Sequence, residues 1–153
     1  MQKKLQQLKS LLVDSKTAWV DFPGMEGFEV ELANLSRKEL VNLRKRCTTN
    51  KFDRKTRVFN EELDENKFLS EFSNAVIKSW KGLKLEYLED MILVDISQQD
   101  PESLMPYSEE NAKLLVENSQ EFDNWLNEVV FDLENFRDKK QGTNSPKTKD
   151  VSG

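Results

Sequence analysis

From Asn66 to Leu83 the apolar residues Phe68, Phe72, Ala75, Val76 and Trp80 return at steps of three and four, the spacing that lines one face of a helix. Gly82 follows where a helix-ending residue with positive φ belongs, and Leu83 stands ready to pack back on the last turn. The stretch predicts a central helix against which the segments on either side pack. Burial preferences make its aromatic stripe core rather than an open groove.

Residues 2–13 carry Leu5, Leu8, Leu11, Leu12 and Val13 among glutamines and lysines, an amphipathic helical pattern without clear caps. From Thr17 to Asn34 the period changes to two. Trp19-Val20-Asp21-Phe22 and Phe28-Glu29-Val30-Glu31-Leu32-Ala33 flank Pro23-Gly24-Met25-Glu26-Gly27, which predicts a β-hairpin with a connection longer than two residues. Ser36-Arg37-Lys38-Glu39 is a capping box, with Leu35 and Leu40 as its hydrophobic staple. Residues 48–60 lose periodicity and read as a loop. Leu85, Leu88 and Met91 predict a short helix, and residues 92–96 a buried extended exit. Ser108 and Ser119 are placed to cap two further helices, the last bearing Phe122, Trp125, Leu126, Val129, Val130, Leu133 and Phe136.

These elements predict a mainly α fold with a small N-terminal β-hairpin, in the α+β class. Residues 1–16 form an amphipathic arm or helix, 17–137 a single compact helical domain with the hairpin at 18–33, and 138–153 a polar, flexible tail.

Charge divides this domain. From Arg37 to Arg57 nine Lys/Arg face two acids, a net of +7, whereas from Glu61 to Glu134 five Lys face nineteen Asp/Glu, a net of −14. The basic run invites a nucleic-acid reading, but only Phe52 and Phe59 interleave with it and the remainder is acidic. A solvated or partner-facing loop is the stronger reading, and nucleic acid is the weaker.

Catalytic chemistry is sparsely represented. The chain has no histidine, the commonest general base and metal ligand, and its one cysteine, Cys47, can form no internal disulfide. Adjacent carboxylates such as Glu61-Glu62, Glu89-Asp90 and Glu109-Glu110 point to different sides of an element, and neither a calcium loop, a phosphate loop nor a nucleophile elbow occurs. A non-enzymatic protein without cofactor or metal is expected. The absence of an apolar run of membrane-spanning or signal-peptide length predicts a soluble, cytosolic chain without membrane contact.

Four stretches, taken together, resemble the tail assembly chaperones of long-tailed, siphovirus-type bacteriophages. They are Ala18-Trp19-Val20-Asp21-Phe22-Pro23-Gly24 with Phe28-Glu29-Val30, then Ile77-Lys78-Ser79-Trp80-Lys81-Gly82-Leu83, then Pro106-Tyr107-Ser108-Glu109-Glu110-Asn111, then Phe122-Asp123-Asn124-Trp125. Their order and spacing carry the resemblance, each motif alone being weak. It implies a small, mostly helical protein that binds the tape measure protein, keeps it soluble and yields it to tail-tube subunits. Such a protein works in the host cytoplasm and is absent from the mature virion. The resemblance also implies a programmed ribosomal frameshift near the gene's end, for which Lys139-Lys140 fits an adenine-rich slip site.

For partner binding the candidates are Leu5, Leu8, Leu12, Phe122, Trp125, Val129 and Phe136, an apolar surface that an amphipathic client helix would cover. The competing reading, with the last-helix residues as core against Phe68, Phe72 and Trp80, carries the greater weight. Two other functions stay open. A structural head-to-tail or tail completion protein would self-associate into a ring through its opposite charges, and a nucleic-acid-binding regulator would use Arg44 to Arg57.

Overall fold

The computed structural model describes residues 7–13 and 16–137. After a short helix α1 (Leu8–Leu11), strands β1 (Thr17–Asp21) and β2 (Glu29–Ala33) form an antiparallel hairpin in which Thr17 faces Ala33 and Asp21 faces Glu29. Gly24 and Gly27 supply the positive φ its turn needs, and the Phe22 N–H donates to the Phe28 carbonyl at 2.9 Å. Helix α2 (Arg37–Arg46) starts on the Ser36/Glu39 capping box, with both reciprocal hydrogen bonds formed.

The expectation of a mainly α fold with only an N-terminal hairpin is corrected here. The fold is α+β, with six α-helices and five strands in two small sheets among the described residues. Two segments make the difference. Residues read as a loop form a second hairpin, β3 (Thr48–Asp53) with β4 (Val58–Leu63). The predicted central helix ends early: α3 (Glu65–Val76) runs directly into β5 (Ile77–Lys81), which pairs antiparallel with β2.

The reason for the early end is tertiary. A lone β1–β2 hairpin would be marginal, and a third strand beside β2 completes the sheet that buries Val30, Leu32, Ile77 and Trp80. Phe68, Phe72 and Val76 keep the helical face, whereas Trp80 reaches the core from a strand.

Gly82 therefore ends a strand rather than a helix. Its φ is +76°, and a Cβ there would overlap the Gly27 carbonyl, so the hairpin turn and the exit of β5 meet backbone to backbone. Helix α4 (Leu85–Met91) follows, but the extended exit expected at 92–96 is irregular, with Leu93 fully exposed. Helices α5 (Glu109–Asn118) and α6 (Gln120–Val130) start on Ser108 and Ser119, whose side chains accept from the Asn111 and Phe122 N–H groups. A 3-10 turn (Leu133–Phe136) replaces the last turn predicted for α6. Helix α3 packs on α5 and α2, and the C-terminal end of α6 is tied to β2, where the Asn34 side chain donates to the Val130 carbonyl at 2.9 Å.

Gly82→Ala should lower unfolding free energy by about 3 kcal/mol or more, since strain and backbone overlap combine. Gly24→Ala, at positive φ but in open space, should cost about 1 kcal/mol. Urea denaturation measures both, and equal losses would contradict the close Gly27–Gly82 approach.

Candidate partner-binding surface

The four stretches that carry the phage resemblance meet in one aromatic cluster. Phe22, after β1, packs edge-on against Trp125 at 4.9 Å between ring centroids and stacks on Phe122 at 5.9 Å. Phe28 contacts Phe122 and Trp80, each at 6.4 Å, and Trp80 meets Tyr107 edge-on at 5.4 Å. The polar atoms of these rings are also used. The Trp80 indole N–H donates to the Met105 carbonyl at 2.8 Å, and the Tyr107 hydroxyl to the Ile77 carbonyl at 3.2 Å. These residues hold the two ends of the chain's body together, and their chemistry is packing.

This geometry divides the candidate binding residues into two sets. Phe122, Val129 and Phe136 are buried, and Trp125 is half-buried at the rim of the cluster. In the folded chain the three buried side chains have no surface to offer. Leu8 and Leu12 are 72% and 68% exposed, with Leu11 and Val13 also in solvent; Leu5 lies outside the described residues. No single face unites the two sets.

Exposed features that the sequence pattern did not reveal lie elsewhere. On the outer face of the three-stranded sheet Trp19 is exposed, with the Lys81 ammonium 4.7 Å above its ring and Glu29 3.8 Å from the same ammonium. The β3–β4 ribbon presents Phe52 directly opposite Phe59, their rings 5.1 Å apart and both largely in solvent. Strand alternation puts Thr48, Asn50, Phe52, Phe59 and Glu61 on one ribbon face. Thr48, Asn50 and Glu61 line a groove whose other wall is Val41, Arg44 and Lys45 of α2. The aromatic pair was the available signal, but the polar residues that flank the rings, Thr48 to Lys51 and Asn60 to Glu62, hid any strand period.

Cys47, between α2 and the ribbon, is fully buried. Burial pushes its thiol above its ordinary value and Glu71 adds to this, against the opposing Lys67 and Arg46. A thiol so placed is a poor nucleophile. No cluster of three or more His, Cys, Asp or Glu able to hold a metal occurs among the described residues, and none of their helices is long and apolar enough to cross a membrane.

The model of the YdaY prophage protein family matches residues 34–145, from just after β2 through α6 and beyond. The chain belongs to this family. It is a phage-derived protein. No curated protein and no solved structure matches it. The matched span contains α2, the ribbon, β5 and the three later resemblance stretches, whereas β1 and β2 precede it.

Phe122→Ala should cost about 3–5 kcal/mol of stability, whereas Leu12→Ser should stay within about 0.5 kcal/mol; comparable losses in urea unfolding would contradict this division. The thiol gives a pH test. Between its ordinary value of 9.0 and the raised native value the unfolded chain binds fewer protons, so stability falls as pH rises through that window. Denaturation midpoints of the wild type and Cys47→Ala should therefore converge above pH 9.0, and parallel midpoints would contradict the buried thiol.

Proposed function

We propose that this protein is a non-enzymatic tail assembly chaperone of a long-tailed phage, which binds the tape measure protein and keeps it soluble until tail-tube subunits displace it. Its membership of a prophage protein family supports a phage role. The observation that carries the finer reading is the convergence of the resemblance stretches. Phe22 and Phe28, Trp80, Tyr107, and Phe122 with Trp125 come from four separate segments and form one cluster. The resemblance thus extends over the framework of a fold rather than over isolated peptides.

In this reading the framework holds an exposed apolar segment ready for a client. Leu8, Leu11, Leu12 and Val13 present aliphatic surface at the start of the chain, suited to the apolar stripe of a long helical polypeptide. The net charge of −5 keeps the complex dispersed. Binding of moderate area lets polymerising tube subunits compete the chaperone away. No covalent step is required, and the work is done in the host cytoplasm before the particle is complete.

Co-expression with the tape measure protein encoded in the same phage genome tests this. The expected result is a soluble tape measure protein that co-purifies with the chain. The Leu8→Ser/Leu11→Ser/Leu12→Ser variant should lose most of that recovery while unfolding at an unchanged temperature. An insoluble tape measure protein, with the chain purifying alone as a ring, would contradict the proposal and favour a tail completion component. The reading also expects a heptameric slip site at the codons for Lys139 and Lys140, which the gene sequence decides.

A further inference from the structure

The β3–β4 ribbon has no part in the aromatic framework. Its strands contact each other far more than anything else. It leaves and rejoins the body at one point, where the Asp64 N–H donates to the Cys47 carbonyl at 2.7 Å. At about 3.3 Å per residue its six-residue strands project roughly 20 Å. A two-stranded ribbon that buries so little is marginal on its own, so its exposed side chains call for a reason.

Its side chains are of two kinds. Phe52 and Phe59 are 51% and 67% exposed and lie side by side. Cations without carboxylate partners accompany them: among the described residues Lys45 in the α2 wall of the groove and Arg54, Lys55 and Arg57 in the ribbon's turn make no ion pair. The nearby acids are largely engaged. Asp53 accepts from the Lys55 and Thr56 backbone N–H groups, and Glu62 pairs with Lys51 at 3.1 Å. Glu61 is the exception and lies in the groove.

Arg57 adds an independent observation. It is the one non-glycine residue among those described with positive φ, at 61°. Glycine or asparagine holds this conformation at lower cost. An arginine kept at a strained turn position, in a row of unpaired cations, points to use of its charge.

We infer that the ribbon and the adjoining wall of α2 bind single-stranded nucleic acid. The cations track the phosphate backbone, and the open faces of Phe52 and Phe59 stack unpaired bases, the combination used where single strands are bound without sequence preference. An acidic polypeptide would satisfy the charges but leave the flat ring faces without a matching partner. The acidic remainder of the chain orients the basic end toward the polyanion. This site is independent of the client-binding reading.

The test uses the full chain and a fluorescein-labelled dT20 oligonucleotide, read by anisotropy between 25 and 200 mM salt on the order of the Debye-screening range. Binding should weaken steeply with salt. Phe52→Ala/Phe59→Ala should reduce affinity about tenfold or more, since stacking on each ring is lost, with the slope retained. Arg54→Ser/Arg57→Gly should lower affinity and make the slope shallower by about one to two units. Arg57→Gly alone should raise the melting temperature while weakening binding, an opposition that a structural role would not produce. Absence of binding at the lowest salt would overturn the inference. So would binding to poly-L-glutamate as tight as to dT20, with the phenylalanine variant unaffected, which would mark the ribbon as a site for acidic polypeptides.

Discussion

The body of the fold depends on the close approach of Gly27 to Gly82. Gly82 has no room for a Cβ, which would overlap the Gly27 carbonyl, and the contact locks the turn of the first hairpin onto the exit of β5. Each glycine is followed by a residue with a fully buried side chain, Phe28 and Leu83. Phe28 then gathers Phe22, Trp80 and Phe122, and the Leu83 carbonyl accepts from the Met105 N–H at 2.8 Å to bring in the segment that leads to α5. Helix α6 closes the assembly by supplying Phe122, Leu126 and Val130, all without solvent exposure. Burial of this size outweighs any single surface pair.

Much of the framework could be read from residue order. The Ser36 box and the Ser108 and Ser119 caps each mark a helix start with a side chain that can accept from the first turn, and each does so. Such caps are local and depend on nothing distant. The run from Ile77 to Lys81 failed as a helix because its conformation is decided by β2, some fifty residues earlier. Trp80 fits the helical period and the strand equally well, and only the need to flank β2 separates them. The ribbon was illegible for the opposite reason. It buries almost nothing, so no burial period was imposed on it.

The same distinction governs function. Residues that stand out by size and recurrence, Phe122, Trp125, Val129 and Phe136, stood out because a core requires them. The large apolar side chains left exposed by the core are others: Leu8 and Leu12, Trp19 on the sheet, and the paired phenylalanines of the ribbon.

The framework and the ribbon are separate, the first built by the aromatic motifs and the second tethered at Cys47 and Asp64. Replacing residues 48–63 by a short Gly-Ser link tests this separation most directly, with thermal unfolding followed by near-ultraviolet circular dichroism. A single cooperative transition is expected, with the aromatic signal of the tryptophan cluster retained and a melting temperature within a few degrees of the full chain. Loss of the cooperative transition would contradict it, and would make the ribbon a part of the fold.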